Sequence, residues 1–255
     1  MNLTPVAIVA APRTGSTFIW QCATALLAKT NHIENFNRRW LQSSSVNWEI
    51  PHCHKSDFVT IDEGYYELDL ELQDGSGSIK KTHGYCDCII TERNVIDSYL
   101  SYVRFIINDN NLFQKEINDK DKLLSQIDFY IEQLQYIDYI KKNYSGRILT
   151  LQYEKFVNNY EYIFEKFESF FDIVLNDDIK TSIIKNSSRE KNLKVQKESN
   201  THNSIDKKIL SHHIWSNKIN YSKDILTKEN YEILLEKFPI KKSLHNENIY
   251  FFSNT

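Results

Sequence analysis

The stretch Val6-Ala7-Ile8-Val9-Ala10-Ala11-Pro12-Arg13-Thr14-Gly15-Ser16-Thr17-Phe18-Ile19-Trp20 constrains the chain most. A short apolar run leads into a Pro-Arg-Thr-Gly-Ser-Thr turn. An apolar segment with helical spacing follows (Phe18, Cys22, Leu26) and continues to about Lys29. The pattern predicts strand, tight loop and helix. Such a loop leaves backbone N–H groups unpaired at the helix start, where the helix dipole adds partial positive charge. Phosphate and related oxyanions suit that place. Arg13 adds a fork of charged donors, Ser16 and Thr17 add hydroxyls, and Gly15 permits close backbone approach. A buried first strand followed by an ordinary capped helix is the plainer reading of the same residues. The loop is not an ATP-type P-loop, which needs two glycines and a Gly-Lys-Ser/Thr end.

The remaining strands and helices alternate. Tyr66–Leu72 alternates apolar and acidic residues and predicts a half-buried strand. Gln73–Ser78 reads as a turn, and Ile79 begins another strand. Cys88–Thr91 predicts a buried strand, Asn94–Asn108 a helix and Leu123–Ile140 an amphipathic helix. Arg147–Tyr153 predicts a strand, and Phe156–Phe171 and Thr227–Phe238 predict helices. The expected fold is therefore α/β, with a mostly parallel central sheet flanked by helices and a P-loop-like strand-loop-helix at the N-terminus. In such sheets ligands bind beyond the carboxyl ends of the strands. One domain over residues 1–255 is expected, with its core at about 5–171, a part at 187–238 that covers the ligand, and a tail at 239–255.

Net charge is −3, so no global basic field exists to hold nucleic acid, and an anionic ligand needs local charge. The start of the chain lacks a basic n-region, and no segment is long and apolar enough to span a bilayer, which gives the expectation of a cytoplasmic protein with no membrane partner. The cysteines Cys22, Cys53, Cys86 and Cys88 do not form a disulfide framework. His52, Cys53, His54, His83, Cys86 and Cys88 are soft metal ligands by type, but their spacing lacks the usual Cys-x-x-Cys pair, and no metal is expected. Residues 31–57 carry Trp40, Trp48 and several His and Arg side chains, which read as pocket lining or as a surface excursion.

Two further stretches bear chemistry. Arg93 stands at a strand end and Ser101 about two helical turns later. The two meet around a phosphate only if the chain between them is partly loop. On spacing alone, Arg93 pairing with Asp97 at a helix start is the plainer reading. Lys80-Lys81-Thr82-His83 ends another strand. A histidine there suits general-base work because its ordinary pKa lies near neutrality, although a strand-end histidine is more often structural.

Four stretches in one order resemble the sulfotransferases that use 3′-phosphoadenosine 5′-phosphosulfate (PAPS). Pro12–Phe18 is similar to their 5′-phosphosulfate loop. Lys81-Thr82-His83 is similar to the segment carrying their base. Arg93-Asn94-x-x-Asp97-x-x-x-Ser101 is similar to their 3′-phosphate motif, and Tyr153-Glu154-Lys155-Phe156 to an element after a later strand. The resemblance implies sulfuryl transfer from PAPS to a hydroxyl or amine of a small-molecule acceptor, in line, leaving adenosine 3′,5′-bisphosphate (PAP), in a monomer or homodimer. It makes His83 the general base, with Lys81 and Arg13 stabilising developing charge. Arg13, Thr14, Gly15, Ser16 and Thr17 would hold the 5′ end, and Arg93 and Ser101 the 3′-phosphate. Phe18, Tyr153 and Ser187 would lie near the adenine. The last third departs from the family pattern. At His213–Asp224 the family's Arg-Lys-Gly and Gly-x-Trp-Lys glycines and arginine are missing, and Lys218 is the remaining basic candidate for the 3′-phosphate. The alternatives are a P-loop kinase acting on a small molecule, against which the missing Gly-Lys-Ser/Thr stands, and a non-catalytic nucleotide- or glycan-binding relative.

Overall fold

The computed structural model describes residues 6–29, 52–53, 58–61, 65–68, 70–73, 79–82, 87–107, 110–144, 146–188, 190–191, 219–242 and 250–252. Strand β1 (Val6–Ala10) pairs in parallel with β7 (Asp87–Glu92) on one side and with the two-residue β2 (His52–Cys53) on the other. β7 pairs in parallel with β8 (Ile148–Gln152), so the central sheet runs β2-β1-β7-β8. The register sets Ala10 beside Thr91 and Thr91 beside Leu151. The chain therefore leaves β1, β7 and β8 at one common edge, with residues 11–15, 93–94 and 153 side by side.

The period of two along each strand divides the core into two faces. Val9, Cys88 and Ile90 face helices α2 (Val95–Ile107) and α5 (Ile127–Asn143), together with Tyr221, Leu234 and Phe238 from the C-terminal part. Ile8, Ile89, Leu149 and Leu151 face α1 (Ser16–Lys29), α7 (Tyr160–Phe171) and α8 (Asp177–Ser187). Both faces of the sheet are covered, which is why β7 reads as a continuous apolar run rather than an alternating one. Antiparallel hairpins join β3 (Phe58–Ile61) to β4 (Tyr65–Leu68), β5 (Leu70–Gln73) to β6 (Ile79–Thr82), and β9 (Ile240–Lys242) to β10 (Tyr250–Phe252).

Three sequence expectations are corrected in detail. The single helix expected over Leu123–Ile140 is two, α4 (Lys120–Leu124) and α5. Asp119 caps α4 by accepting from the N–H groups of Asp121 and Lys122, and Ser125 ends it, with its hydroxyl donating to Lys122 O at 2.8 Å. The helix expected over Phe156–Phe171 is also two. The one-turn α6 (Tyr153–Phe156) follows β8 directly, and Asn159 starts α7 by accepting from Tyr162 N. The strand expected over Tyr66–Leu72 is shared between β4 and β5, each in its own hairpin. Helix α8, capped by Asn176, was not anticipated; its apolar residues are spread thinly among lysines and polar groups. Among the described residues no helix is long and apolar enough to cross a membrane.

Phe167 has no solvent exposure and packs α7 against the sheet and α1. Replacing it by alanine removes a buried ring and leaves a cavity. Phe167→Ala is expected to lower unfolding free energy by about 3–5 kcal/mol, read from the urea midpoint at unchanged m-value.

Candidate functional site

The loop after β1 is held on several sides. Thr14 is buried; its hydroxyl donates to Ala11 O at 2.9 Å and accepts from Thr91 Oγ1 at 2.8 Å, which ties the loop to the end of β7. Tyr130 from α5 donates its hydroxyl to Pro12 O at 2.8 Å. Gly15 O accepts from Phe18 N at 3.1 Å and Ile19 N at 3.2 Å, opening α1. Arg13 and Gly15 both adopt left-handed backbone conformations, with φ of 70° and 90°. Glycine is required at position 15 twice over. Any Cβ there would be strained, and it would stand 2.7 Å from both Phe156 Cζ and Tyr153 Cδ2. The loop therefore lies directly on the aromatic turn that follows β8.

The side chains at this edge concentrate positive charge. Arg93, at the exit of β7, donates from Nη1 to Arg13 O at 3.2 Å, and Arg13 donates from Nε to Ser101 Oγ at 3.2 Å. Arg13 thus bridges the two members of the Arg93-to-Ser101 motif. Arg93 lies over the Tyr153 ring at 4.2 Å and the Tyr221 ring at 5.5 Å, while Arg13 lies over Phe105 at 5.3 Å. Burial and then the neighbouring Arg93 charge push the Arg13 guanidinium down to about 10, which still leaves it charged at neutral pH. Burial alone would lower Arg93 as well, but Tyr153, Tyr221, Asp97 and Glu154 outweigh it and hold the group above its ordinary value. Arg93 Nε is buried with no hydrogen-bond partner among the described residues. The buried Arg93 and the half-buried Arg13 form a place where an anion relieves both desolvation and mutual repulsion.

The surrounding polar groups fix Arg93 in position. Asn94 caps α2, accepting at Oδ1 from Ile96 N at 3.1 Å and Asp97 N at 3.2 Å. Its own N–H donates to Glu154 Oε1 at 2.7 Å, and its amide donates to Asn220 Oδ1 at 3.3 Å. Asp97 Oδ1 accepts from Ser222 N at 3.0 Å, and the Tyr221 hydroxyl donates to Asp97 O at 2.5 Å. Burial raises the carboxyls of both Asp97 and Glu154 above the ordinary range.

Of the residues singled out from the sequence, Arg13, Thr14, Gly15, Arg93, Ser101 and Tyr153 converge here. Ser16 is buried and Thr17 half-buried in the first turn of α1. Phe18 stacks on Phe156 at 5.8 Å, so Phe18, Phe156 and Tyr153 form one aromatic wall behind the loop. Ser187 sits apart. It is fully buried, its hydroxyl donates to Ile183 O at 2.7 Å, and Tyr160 Oη lies 3.2 Å away. Lys81 is on β6, in register with Glu71 of β5. His83 and Lys218 lie outside the described residues. The plainer sequence reading of Arg93 holds in part: Asp97 acts on Arg93 through its charge while its Oδ1 accepts from Ser222 N, and Ser101 meets Arg13. Tyr221 and Asn220 were missed because nothing local marks them; Tyr221 reaches Asp97 across 124 residues of sequence. The pairing of Thr14 with Thr91 was legible only once the parallel register of β1 and β7 was known.

Gly15→Ala is expected to destabilise the protein by about 1–3 kcal/mol, through strain at φ 90° and displacement of Tyr153 and Phe156. The shift in thermal midpoint measures it, and an unchanged midpoint would contradict this packing.

No family model matches the chain, and no curated protein matches it. Among solved structures the chain is similar to the crystal structure of a mouse sulfotransferase complexed with PAP, at 14% sequence identity and a TM-score of 0.47, over 92% of this chain and 82% of that one.

Proposed function

We propose that this chain is a sulfotransferase that moves a sulfuryl group from PAPS to a hydroxyl or amine of a small-molecule acceptor. The observation that carries the reading is the Arg13–Ser101–Arg93 cluster, set against the glycine loop that opens α1. A nucleotide with phosphate at both ends of its ribose needs two anion sites, and two groups at one sheet edge support this reading: backbone N–H groups of Thr14 to Thr17 would take the 5′ end, and Arg93 with Ser101 the 3′-phosphate. The wall of Tyr153, Phe156 and Phe18 supplies ring faces beside them for the adenine. The motif order described above adds the chemistry. The acceptor oxygen or nitrogen forms a bond to sulfur while the bond from sulfur to the bridging phosphate oxygen breaks. His83 takes the acceptor's proton, and Lys81 offsets charge on the departing PAP. As in phosphoryl transfer, positioning and electrostatics supply most of the catalysis.

The test uses the full chain. PAP at about 100 times its dissociation constant is expected to raise the thermal midpoint by about 5–10 °C, while ATP with magnesium leaves it unchanged. His83→Ala is expected to lose on the order of 10²–10⁴ in turnover of PAPS with an accepted hydroxyl or amine, and to keep its stabilisation by PAP. Stabilisation by ATP with magnesium and not by PAP would replace this reading with a kinase. Full turnover by His83→Ala would remove that histidine as the base.

A further inference from the structure

Arg93 lies over two rings that reach it from distant parts of the chain. Tyr153 follows β8 directly, and its ring centroid is 4.2 Å from the Arg93 guanidinium carbon. Tyr221 comes from the C-terminal part, with its centroid at 5.5 Å. Tyr221 is buried and is tied to the helix start that follows Arg93. Its hydroxyl donates to Asp97 O at 2.5 Å, and the N–H of the next residue, Ser222, donates to Asp97 Oδ1 at 3.0 Å. On the other side Asn220 stands in the left-handed region (φ 60°), which asparagine tolerates better than most residues. Its Oδ1 accepts from the Asn94 amide at 3.3 Å. Residues Asn220, Tyr221 and Ser222 thus clasp the first turn of α2, and the middle one brings its ring to Arg93.

We infer that Tyr221 is a positioning residue for nucleotide binding: it acts through Arg93, orienting the guanidinium without occupying its donors. This rests on the proposed function and deepens it. A ring attracts a guanidinium through its π face and accepts none of the in-plane N–H groups. A carboxylate in the same place would take the forked donors that a phosphate needs. Arg93 Nε, buried with no hydrogen-bond partner among the described residues, fits a group that is held but not used up. The clasp also removes rotamer freedom from a long side chain before an anion arrives, so less is lost on binding. Tyr221 touches no nucleotide in this scheme; its effect on affinity runs through Arg93 alone.

Isothermal titration with PAP, and displacement of PAP by 5′-AMP, tests the assignment on the full chain. Tyr221→Leu keeps apolar bulk and removes the ring; it is expected to weaken PAP about tenfold and to change 5′-AMP by less than about twofold. Tyr221→Phe keeps the ring and loses only the hydroxyl bond to Asp97 O, and is expected to hold PAP affinity to within about threefold of wild type. A purely structural role would lower the thermal midpoint without separating the two nucleotides. Should Tyr221→Leu fail to fold, Asn220→Ala loosens the clasp without emptying the core, and is expected to show the same selective loss at about threefold. Unchanged PAP affinity in whichever of these two variants folds, or equal weakening of PAP and 5′-AMP, would overturn the inference while the proposed function stands. A wild-type chain that binds neither nucleotide would instead overturn the proposed function, and this inference with it.

Discussion

A buried guanidinium, Arg93, with the half-buried Arg13 beside it, is the constraint on which the rest of this site depends. Each loses hydration, and the charge of Arg93 acts against that of Arg13. The fold does not avoid this cost. It surrounds Arg93 with the rings of Tyr153 and Tyr221 and sets the carboxyls of Asp97 and Glu154 nearby. Those carboxyls are themselves buried, and burial favours their neutral forms, so the compensation they give is partial. The positive charge lies at the sheet edge where the chain leaves β1 and β7, a place that suits an anion.

Holding these side chains in place takes a stiff frame. The frame is built from backbone. Parallel pairing of β1 with β7 puts Thr14 against Thr91, and pairing of β7 with β8 puts the loop against Tyr153. Gly15 allows the loop to lie on Phe156 and Tyr153 at distances no other residue tolerates. Asn94 ends the extended strand and starts α2, which sets Arg93 at the sheet edge and Ser101 two turns on. The short segment around Tyr221 then closes over Arg93 by bonding Asp97 through both main chain and side chain. Each of these contacts acts on an arginine indirectly, by fixing the element that carries it.

Much of this was legible in the sequence, for a physical reason. The apolar runs at Val6–Ala10 and Cys88–Thr91 form strands of a sheet covered on both faces and so stand out, and a glycine within a strand-to-helix turn marks a close approach. Helix breaks were less legible. Asn159 and Ser125 interrupt otherwise continuous apolar periods, because capping competes with the helical pattern that surrounds it. The partners of Arg93 were legible only in part. Tyr153 lies in a motif stretch, whereas Tyr221 is one aromatic among many until the chain is folded. The direction of the Arg13 side chain was not legible at all, since a residue type fixes what a group offers and the backbone dihedrals fix where it is offered.

The most direct measurement is a crystal structure of the protein with PAP bound. This account expects one phosphate within hydrogen-bonding distance of both Arg93 and Ser101, the other on the backbone N–H groups of Thr14 to Thr17, and the adenine against the wall formed with Tyr153. Both phosphates lying away from Arg93, or the nucleotide bound at another edge of the sheet, would contradict it.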